Sequence, residues 1–298
     1  MQLSRKQFDI LSTMALSPRP LTQRALEESS SYSLGTVNRL MRELRDQGLI
    51  EKGSITAKGL EALEPYRAKR AVFLAAGFGA RLVPITLNTP KPLVRVHGIR
   101  IIDRLIDACL EAGIHEIVIV RGYLAEQFDQ LKNKYPMIRF LENPDYNEAN
   151  NISSAMVVRH LLSNAYVFEA DLLLYNPRIL LPYHYCSNFL AIHKDRTDDW
   201  CFTVKEGVIT EEKVGGEGEG LYQMVGISYW SEMDGHSLSS DIPAVYASPG
   251  GRERYWEQVP LVYRKSHYRV EVRTCREEDI VEIDTFRELK AIDKTYDV

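Results

Sequence analysis

Cysteine is scarce in this sequence, and long apolar segments are missing. The 298 residues include four cysteines, and none stands in a Cys-x-x-Cys pair or at zinc-ligand spacing from a histidine. Neither a zinc site nor a disulfide framework is expected, and the cysteines are typical of reduced, buried thiols. The amino terminus has no apolar signal-peptide core, and no apolar run approaches the roughly 20 residues that a membrane-spanning helix needs. We predict a cytoplasmic protein with no membrane partner.

Positive charge is concentrated near the amino terminus. Residues 1–70 contain 12 Lys and Arg against 8 Asp and Glu, a balance of +4, whereas the remaining residues contain 25 against 33, a balance of −8. A chain of this length can form one large and one small domain, each with its own core. The change of sign predicts two domains, residues 1–66 and residues 70–298.

The first domain has the order of a helix-turn-helix. Ser4 and Thr22 are placed to begin two helices, and the third carries apolar residues at helical spacing until Gly48 ends it. Residues 49–56 then predict two short strands around a glycine, and residues 57–70 predict a helix leading into the next domain. This order resembles a small α+β winged helix of the bacterial regulator type.

The resemblance leaves two roles open for this domain. As a DNA reader it would insert Thr36, Asn38, Arg39 and Arg42 into a major groove, with Lys52 on a phosphate. As a docking or dimerisation unit it would contact protein instead, and an excess of four positive charges is modest for DNA binding. DNA and a second copy of the chain are both candidate partners.

The most informative stretch is residues 74–91. An apolar run ends there at a glycine, as a buried strand does when it enters a loop. Gly77 and Gly79 lack a Cβ, so backbone N–H groups can approach a bound phosphate. Arg81 can bind phosphate oxygens through two donors, and Lys91 is a point charge held between two prolines. The stretch predicts a polyphosphate site.

This stretch has neither the Gly-Lys-Ser/Thr of a P-loop nor the third spaced glycine of a dinucleotide fingerprint. It resembles the signature of the sugar-phosphate and alcohol-phosphate nucleotidyltransferases, Leu-Ala-Ala-Gly-x-Gly-x-Arg-Leu-x-Pro-x-Thr followed by Pro-Lys, with every fixed position filled. The resemblance implies that Leu74, Ala75 and Ala76 join Gly77, Gly79 and Arg81 in nucleotide binding. It also implies that Lys91 contacts the phosphate of the second substrate.

Strands and helices alternate after the glycine loop. Strands are predicted at residues 93–96, 117–120, 138–142 and 166–171, with helices at 101–112 and 124–134. This alternation predicts an α/β domain with a doubly wound, mainly parallel sheet, the Rossmann-like architecture that the resemblance also implies. Ligands bind at the carboxyl ends of such strands, so we expect Gly122 and Tyr123 to contact the base.

Residues 143–154, Asn-Pro-Asp-Tyr-Asn-Glu-Ala-Asn-Asn-Ile-Ser-Ser, are rich in amides and hydroxyls. Such groups can pair with a base and a ribose, although the same residue types also build turns and helix caps. The segment resembles that of the choline-phosphate cytidylyltransferases. That resemblance implies nucleotide contacts from Asn150, Asn151 and Ser153.

Three acidic residues form a candidate metal site. Asp171 ends an apolar strand, and in Val-Glu-Ile-Asp the side chains of Glu282 and Asp284 point to one side if the segment is extended. Acids at this spacing are also common on surfaces. The family carries Glu-Ile-Asp at this place in the chain, which implies that Asp171, Glu282 and Asp284 bind Mg²⁺.

Aromatic residues are frequent between residues 193 and 270. They can pack a β-rich core, or they can hold a quaternary ammonium group over their faces. Residues 198–200 and 255–257 stand where the choline-binding aromatics and acids of the family fall. The expected contacts to the substrate amine are Trp200, Tyr229, Tyr255, Trp256 and Glu257.

Taken together, the resemblance implies transfer of CMP from CTP to phosphocholine or a close amino-alcohol phosphate, with release of pyrophosphate. Arg81, Lys91, Asp171 and Asp284 are the expected catalytic residues. Two alternatives stay open: a sugar-1-phosphate nucleotidyltransferase, and a DNA-binding regulator whose transferase-like domain senses a nucleotide or a choline metabolite. Choline, ethanolamine and aminoethylphosphonate remain undistinguished.

Overall fold

Two units with separate apolar cores make up the structure, a computed structural model that describes residues 2–297. The amino-terminal unit comprises the chain up to Arg67 together with Tyr183–Tyr185. The large unit comprises Ala68–Pro182 and the chain from Cys186 onward. Within residues 2–297, no helix has the length and apolar character needed to cross a bilayer.

The amino-terminal unit is a winged helix. Its elements are α1 (Arg5–Leu16), α2 (Gln23–Ser29), α3 (Leu34–Asp46), β1 (Ile50–Glu51), β2 (Ser54–Ile55) and α4 (Ala57–Leu63). All four helices begin at a serine or threonine whose side-chain oxygen accepts a backbone N–H of the first turn: Ser4, Thr22, Ser33 and Thr56. Each such cap stabilises its helix by about 1 kcal/mol. Gly48 takes a φ of 73° after α3, which ends that helix.

Aromatic rings pack together in this unit. Tyr185 stacks on Tyr66 with ring centroids 5.7 Å apart and lies 5.5 Å from the ring of Phe8. The prediction of one helix over residues 57–70 was wrong. Helix α4 ends at Leu63, because Pro65 follows in a 3₁₀ turn and cannot continue the α-helical hydrogen bonds.

The large unit is an α/β domain. Its strands are β3 (Arg70–Leu74), β4 (Arg95–Val96), β5 (Ile99–Arg100), β6 (Glu116–Arg121), β7 (Arg139–Glu142), β8 (Ala165–Glu169), β9 (Leu172–Leu174), β10 (Asn188–His193), β11 (Arg196–Lys205), β12 (Val208–Glu217), β13 (Leu221–Trp230), β14 (Glu271–Cys275) and β15 (Ile280–Glu282). Its helices are α5 (Ile101–Glu111), α6 (Ile152–Val158), α7 (Glu232–Tyr246) and α8 (Phe286–Ile292).

Nine of these strands form one sheet in the order β10-β14-β12-β11-β13-β8-β3-β6-β7. Strands β8, β3, β6 and β7 run parallel, as the alternation of strands and helices predicts. Strand β13 is antiparallel to β8, and hairpins extend the sheet from there. Strands β10 and β14 pair in parallel, so this half of the sheet is mixed, and most of it comes from the segment in which aromatic residues are frequent.

Alternate residues of β3 face opposite cores, as expected when helices cover both faces of a sheet. Phe73 packs with residues of α5, whereas Val72 packs with residues of α6 and α7. The predicted helix over 124–134 is instead a 3₁₀ helix, Ala125–Asn133. Its buried side chains, Phe128 and Leu131, are three residues apart, which suits three residues per turn.

Two helical glycines of the amino-terminal unit differ in the space around them. A Cβ at Gly59 would overlap the Leu49 carbonyl oxygen and lie 2.6 Å from Ile55 Cγ1, whereas at Gly35 it would meet open space among the described residues. We expect Gly59→Ala to destabilise this unit by about 1–3 kcal/mol through overpacking. Gly35→Ala should leave stability unchanged or raise it by up to about 1 kcal/mol.

Calorimetric unfolding of the full chain tests this prediction. The first variant should lower the transition temperature of the winged helix, and the second should not. Equal effects of the two substitutions would contradict the close packing of α4 against the wing.

Candidate active site

A cavity of about 690 Å³ opens at the carboxyl ends of the parallel strands. The glycine loop after β3, the amide-rich segment before α6 and the turn after β8 form one part of its wall, and β13 and the segment after β15 form another. The predicted residues in its wall are Leu74, Ala75, Ala76, Gly77, Gly79, Arg81, Lys91, Asn150, Asn151, Ser153, Asp171, Trp200, Tyr255, Glu257, Glu282 and Asp284. Gly122, Tyr123, Tyr229 and Trp256 lie elsewhere.

The glycine loop is held close to Lys91. Gly79 has a φ of 62°, and a Cβ there would lie 3.0 Å from Lys91 Cβ, so a glycine lets the loop pack against the lysine stem. Thr86 Oγ1 donates to the Gly79 carbonyl at 2.9 Å, and the Tyr123 hydroxyl donates to the Thr86 carbonyl at 2.9 Å. Tyr123 therefore supports the loop from behind.

Gly122 was expected to contact a base, and the structure gives it another role. A Cβ at this position would lie 2.6 Å from Tyr146 Cγ, so the missing side chain makes room for that ring. Tyr146 itself lines the cavity, although the sequence analysis did not select it. Gly122 and Tyr123 are thus not in the cavity wall, and they contact the Tyr146 ring and the glycine loop instead.

Lys91 is the buried cation of the site. It is 8% exposed, and its Nζ lies 2.8 Å from Asp171 Oδ2 and 3.2 Å from Asp284 Oδ1. Burial opposes the charge, but the carboxylates of Asp171 and then Asp284 outweigh it and raise the lysine pKa. Arg81 also forms an ion pair with Asp284. The ammonium is therefore fixed in its charged form.

Backbone pairing brings the three acids together. Strand β15 pairs with β9 so that Glu282 lies opposite Leu172, and the Ile283 N–H donates to the Asp171 carbonyl. Ligand oxygens of Asp171, Glu282 and Asp284 all lie within 4.8 Å of one another. Burial, followed by the charge of Asp171, raises the pKa of Glu282 to about 9.

This acidic cluster fits a divalent cation. Within residues 2–297, the buried Oδ1 of Asp171 has no hydrogen-bond partner. Hard cations take oxygen ligands, and they use one or two carboxylates together with phosphate oxygens. The donor set and the unpartnered oxygen match that chemistry.

The amide-rich segment is fixed by its own side chains. Asn143 donates from Nδ2 to the hydroxyl oxygens of Ser153 and Ser154, and Ser153 donates to the Asn150 carbonyl at 2.7 Å. The Trp256 N–H donates to Asn151 Oδ1 at 2.8 Å. Asn143 is a buried organiser that the sequence analysis did not select.

Two of the four expected aromatic residues border the cavity. The rings of Trp200 and Tyr255 meet edge-on, with centroids 5.3 Å apart. Tyr229 is 1% exposed, and its hydroxyl donates to Asn164 Oδ1 in the core. Trp256 is also buried, stacked on Phe189. Tyr229 and Trp256 thus lie in the core and not in the cavity wall, because aromatic content alone does not tell which face of the sheet a ring occupies.

Carboxyl groups also line the cavity. Glu257 is 2% exposed, and its Oε2 has no partner in the part of the chain that the structure describes. Burial, followed by the charge of Glu212, raises the pKa of Glu257 to about 8, although the Asn151 side chain donates to it. Glu169 and Asp199 also line the wall. Glu169 stands two residues before Asp171, a position that the sequence analysis passed over.

Both parts of the chain resemble known protein families. Residues 70–175 match the nucleotidyl transferase family, and residues 1–58 match the MarR family. The 2-aminoethylphosphonate cytidylyltransferase of Lancefieldella rimae is 34% identical over 230 residues, which are 76% of this chain and 92% of that protein. The choline-phosphate cytidylyltransferase of Streptococcus pneumoniae is 32% identical over 225 residues, 76% of this chain and 97% of that protein.

Solved structures give the same match. The CTP:phosphocholine cytidylyltransferase of Streptococcus pneumoniae superposes with a TM-score of 0.70 at 30% identity, covering 76% of this chain and 99% of that one. The inositol-1-phosphate CTP transferase of T. maritima superposes with a TM-score of 0.61 at 16% identity, covering 78% and 95%, and so shares the fold. The large unit therefore has the Rossmann-like fold of nucleotidyltransferases.

Removing the positive charge of Lys91 should show whether the three carboxylates can bind a divalent cation. We expect Lys91→Ala to lower the melting temperature in metal-free buffer, because Asp171 and Asp284 then repel each other. Millimolar Mg²⁺ should raise the melting temperature of this variant more than that of the wild type, since a bound ion stabilises the folded state.

The control is Lys134→Ala, which removes an exposed lysine paired with Asp107. Its response to Mg²⁺ should equal that of the wild type at matched ionic strength. A Lys91→Ala variant that gained no more from Mg²⁺ than this control would show that the acids do not form a cation site.

Proposed function

The chain belongs to the bacterial cytidylyltransferase family that includes the choline-phosphate and 2-aminoethylphosphonate enzymes, and from this membership we propose its reaction. It transfers CMP from CTP to a small phosphate or phosphonate that carries a cationic amine, and pyrophosphate leaves. Phosphocholine and its close amino-alcohol analogues are the candidate acceptors. The relatives act on such compounds, according to their names.

The observation that carries this proposal is that one cavity wall combines two kinds of chemistry. The glycine loop, Arg81 and Lys91 contribute backbone donors and positive charge. Trp200, Tyr255 and the buried Glu257 contribute aromatic faces and a carboxyl group. A substrate that carries both a phosphate and an amine suits this wall. A sugar would instead need partners for its hydroxyl groups.

The reaction is an in-line displacement. An acceptor oxygen attacks the α-phosphorus of CTP, a new P–O bond forms, and the bond to the bridging oxygen of pyrophosphate breaks. The attacking group is already an anion, so no general base is needed, and the protein acts through positioning and charge neutralisation. Arg81 and the loop amides bind the β- and γ-phosphates, and Lys91 binds the incoming phosphate.

We propose Mg²⁺ as the cation of this site. Asp171, Glu282 and Asp284 would hold it. When bound, it supplies neutralisation of the negative charge at the α-phosphate. Lys91 lies between two of these acids, so its positive charge is already close to the place where the two phosphates must meet.

A second proposal concerns the amino-terminal unit, which we infer binds DNA. The match to the MarR family supports it, and so do three exposed arginines on α3: Arg39, Arg42 and Arg45. Lys52 is 90% exposed at the turn between β1 and β2. Asn38, which was also predicted to enter the groove, is half-buried, and its Oδ1 has no hydrogen-bond partner among residues 2–297. Docking or dimerisation remains the competing role.

The catalytic prediction is a loss of turnover in the acid variants. Asp171→Asn and Asp284→Asn should each reduce kcat/KM by about 10²-fold or more, because a neutral amide replaces a charged ligand oxygen beside Lys91. Pyrophosphate release is measured with each of the four NTPs and with phosphocholine, phosphoethanolamine, 2-aminoethylphosphonate or glucose 1-phosphate.

Asp107→Asn, an exposed acid outside the cavity, is the matched control and should keep full activity. Two outcomes would overturn the proposal. CTP binding without pyrophosphate release would indicate a sensor, and a preference for glucose 1-phosphate would indicate a sugar-phosphate enzyme.

The DNA prediction is tested on the full chain. A site is first selected from genomic fragments, with and without CTP. We then expect Arg39→Ala and Arg42→Ala each to weaken binding about 10-fold and to reduce the slope of log K against log salt by about 1, because each arginine neutralises one phosphate. Turnover should not change.

Arg287→Ala replaces an exposed arginine on α8 in the large unit and should leave DNA binding unchanged. Recovery of random sequence with low affinity would end the proposal. A change of oligomeric state in the α3 variants, without any DNA binding, would assign the unit to dimerisation.

A further inference from the structure

We propose that the acceptor carries an unsubstituted ammonium group rather than a trimethylammonium group, and that Glu257, backed by Glu212, selects it. This inference rests on the proposed transfer of CMP to an amine-bearing phosphate or phosphonate. It specifies the substitution of the amine, and it adds Glu212, which neither the sequence nor the cavity wall had indicated.

Glu257 has a buried carboxylate oxygen that lacks a hydrogen-bond donor. The side chain is 2% exposed and lines the cavity, and its Oε2 has no donor among residues 2–297. The Asn151 amide donates to the same carboxylate, so the group is held in place. An unsubstituted ammonium has three N–H donors and can satisfy Oε2. A trimethylammonium group has none and would leave that oxygen buried and unpaired, at a cost.

Glu212 lies on the same face of its hairpin as Trp200, which lines the cavity. On the hairpin of β11 and β12 it pairs with Phe202, and alternation along the strands places Trp200, Phe202 and Glu212 on one face. Both carboxylate oxygens are buried and lack a partner within the described chain. The charge of Glu212 is near enough to raise the pKa of Glu257. A second buried carboxyl group thus lies near Glu257, on the face of the hairpin that also carries Trp200.

The aromatic wall, by contrast, is incomplete. A quaternary ammonium cannot donate hydrogen bonds and depends on being held over several aromatic faces. Among residues 2–297, the rings that line the cavity are Trp200, Tyr255 and Tyr146. The first two meet edge-on at 65°, and Tyr146 packs against Gly122. Met224 and Gly226 also line the cavity, and the Glu169 carboxylate lies against Gly226. Acidic side chains therefore outnumber aromatic rings in this wall.

A methylation series tests the inference. Phosphoethanolamine, its N-methyl and N,N-dimethyl derivatives and phosphocholine are compared as acceptors with CTP, by pyrophosphate release. We expect kcat/KM to fall with each methyl group, by at least about 10-fold over the series, mainly through KM, since each methyl removes a donor. A flat or rising series overturns the inference while leaving the proposed function intact. If neither a member of this series nor 2-aminoethylphosphonate is turned over, the proposed function itself is overturned.

Variants separate selection from a structural role. Glu257→Gln should lose about 10²-fold in kcat/KM with phosphoethanolamine and less than about 10-fold with phosphocholine, which flattens the series. Glu212→Gln should narrow the preference through KM with kcat nearly unchanged. Glu211→Gln is the control, because this neighbour is exposed and accepts from Thr203, and it should not alter the series. Equal losses on every acceptor in Glu257→Gln, in a folded protein by circular dichroism, would overturn selection by this residue.

Discussion

A buried ammonium group joins parts of the chain that are far apart in sequence. Lys91 follows the glycine loop, whereas its partners Asp171 and Asp284 are 80 and 193 residues away. Taking a charge out of water costs several kcal/mol unless paired groups replace the solvent, so the lysine can be buried only when both segments are in place. The same requirement works in reverse, because the acids would repel one another without the cation. Burial of Lys91 and assembly of the two acids therefore depend on each other.

An apolar cluster supports this charged contact. Leu82 of the glycine loop, Leu173 of β9 and Ile283 after β15 are buried together, and Leu289 of α8 joins them. The pairing of β15 with β9 sets which side chain points where: Ile283 turns into the apolar cluster, and its neighbours Glu282 and Asp284 reach the cavity. On our proposal, specificity arises at Glu257, whose unpaired acceptor penalises a ligand that cannot donate a hydrogen bond. Such penalties discriminate between ligands more strongly than a missing methylene does.

The sequence predicted those features that depend on residues close together in the chain. The strand, glycine loop and lysine of residues 74–91 are contiguous, so their sequence was sufficient to place them in one site, and the alternation of strands and helices predicted the parallel strands. The burial of Tyr229 and Trp256 could not be predicted, because the orientation of a ring depends on partners such as Tyr166 and Phe189 from distant strands. Glu212 was missed for the same reason. In the sequence it is one acid beside another, and only the pairing of β11 with β12 distinguishes the buried one from exposed Glu211.

The amino-terminal unit is not a simple extension that ends at one linker. Its core includes Tyr183, and Tyr185 stacks on Tyr66. Tyr183 and Tyr185, however, come from the middle of the transferase sequence. Arg67 donates to the Tyr183 hydroxyl at 2.7 Å, which adds a polar contact to the stacked rings. A fragment ending at Arg67 would therefore lack part of its own core and expose Phe8 and Tyr66. Because the chain passes from one unit to the other three times, the winged helix and the transferase are covalently interleaved, and the winged helix is complete only in the full chain.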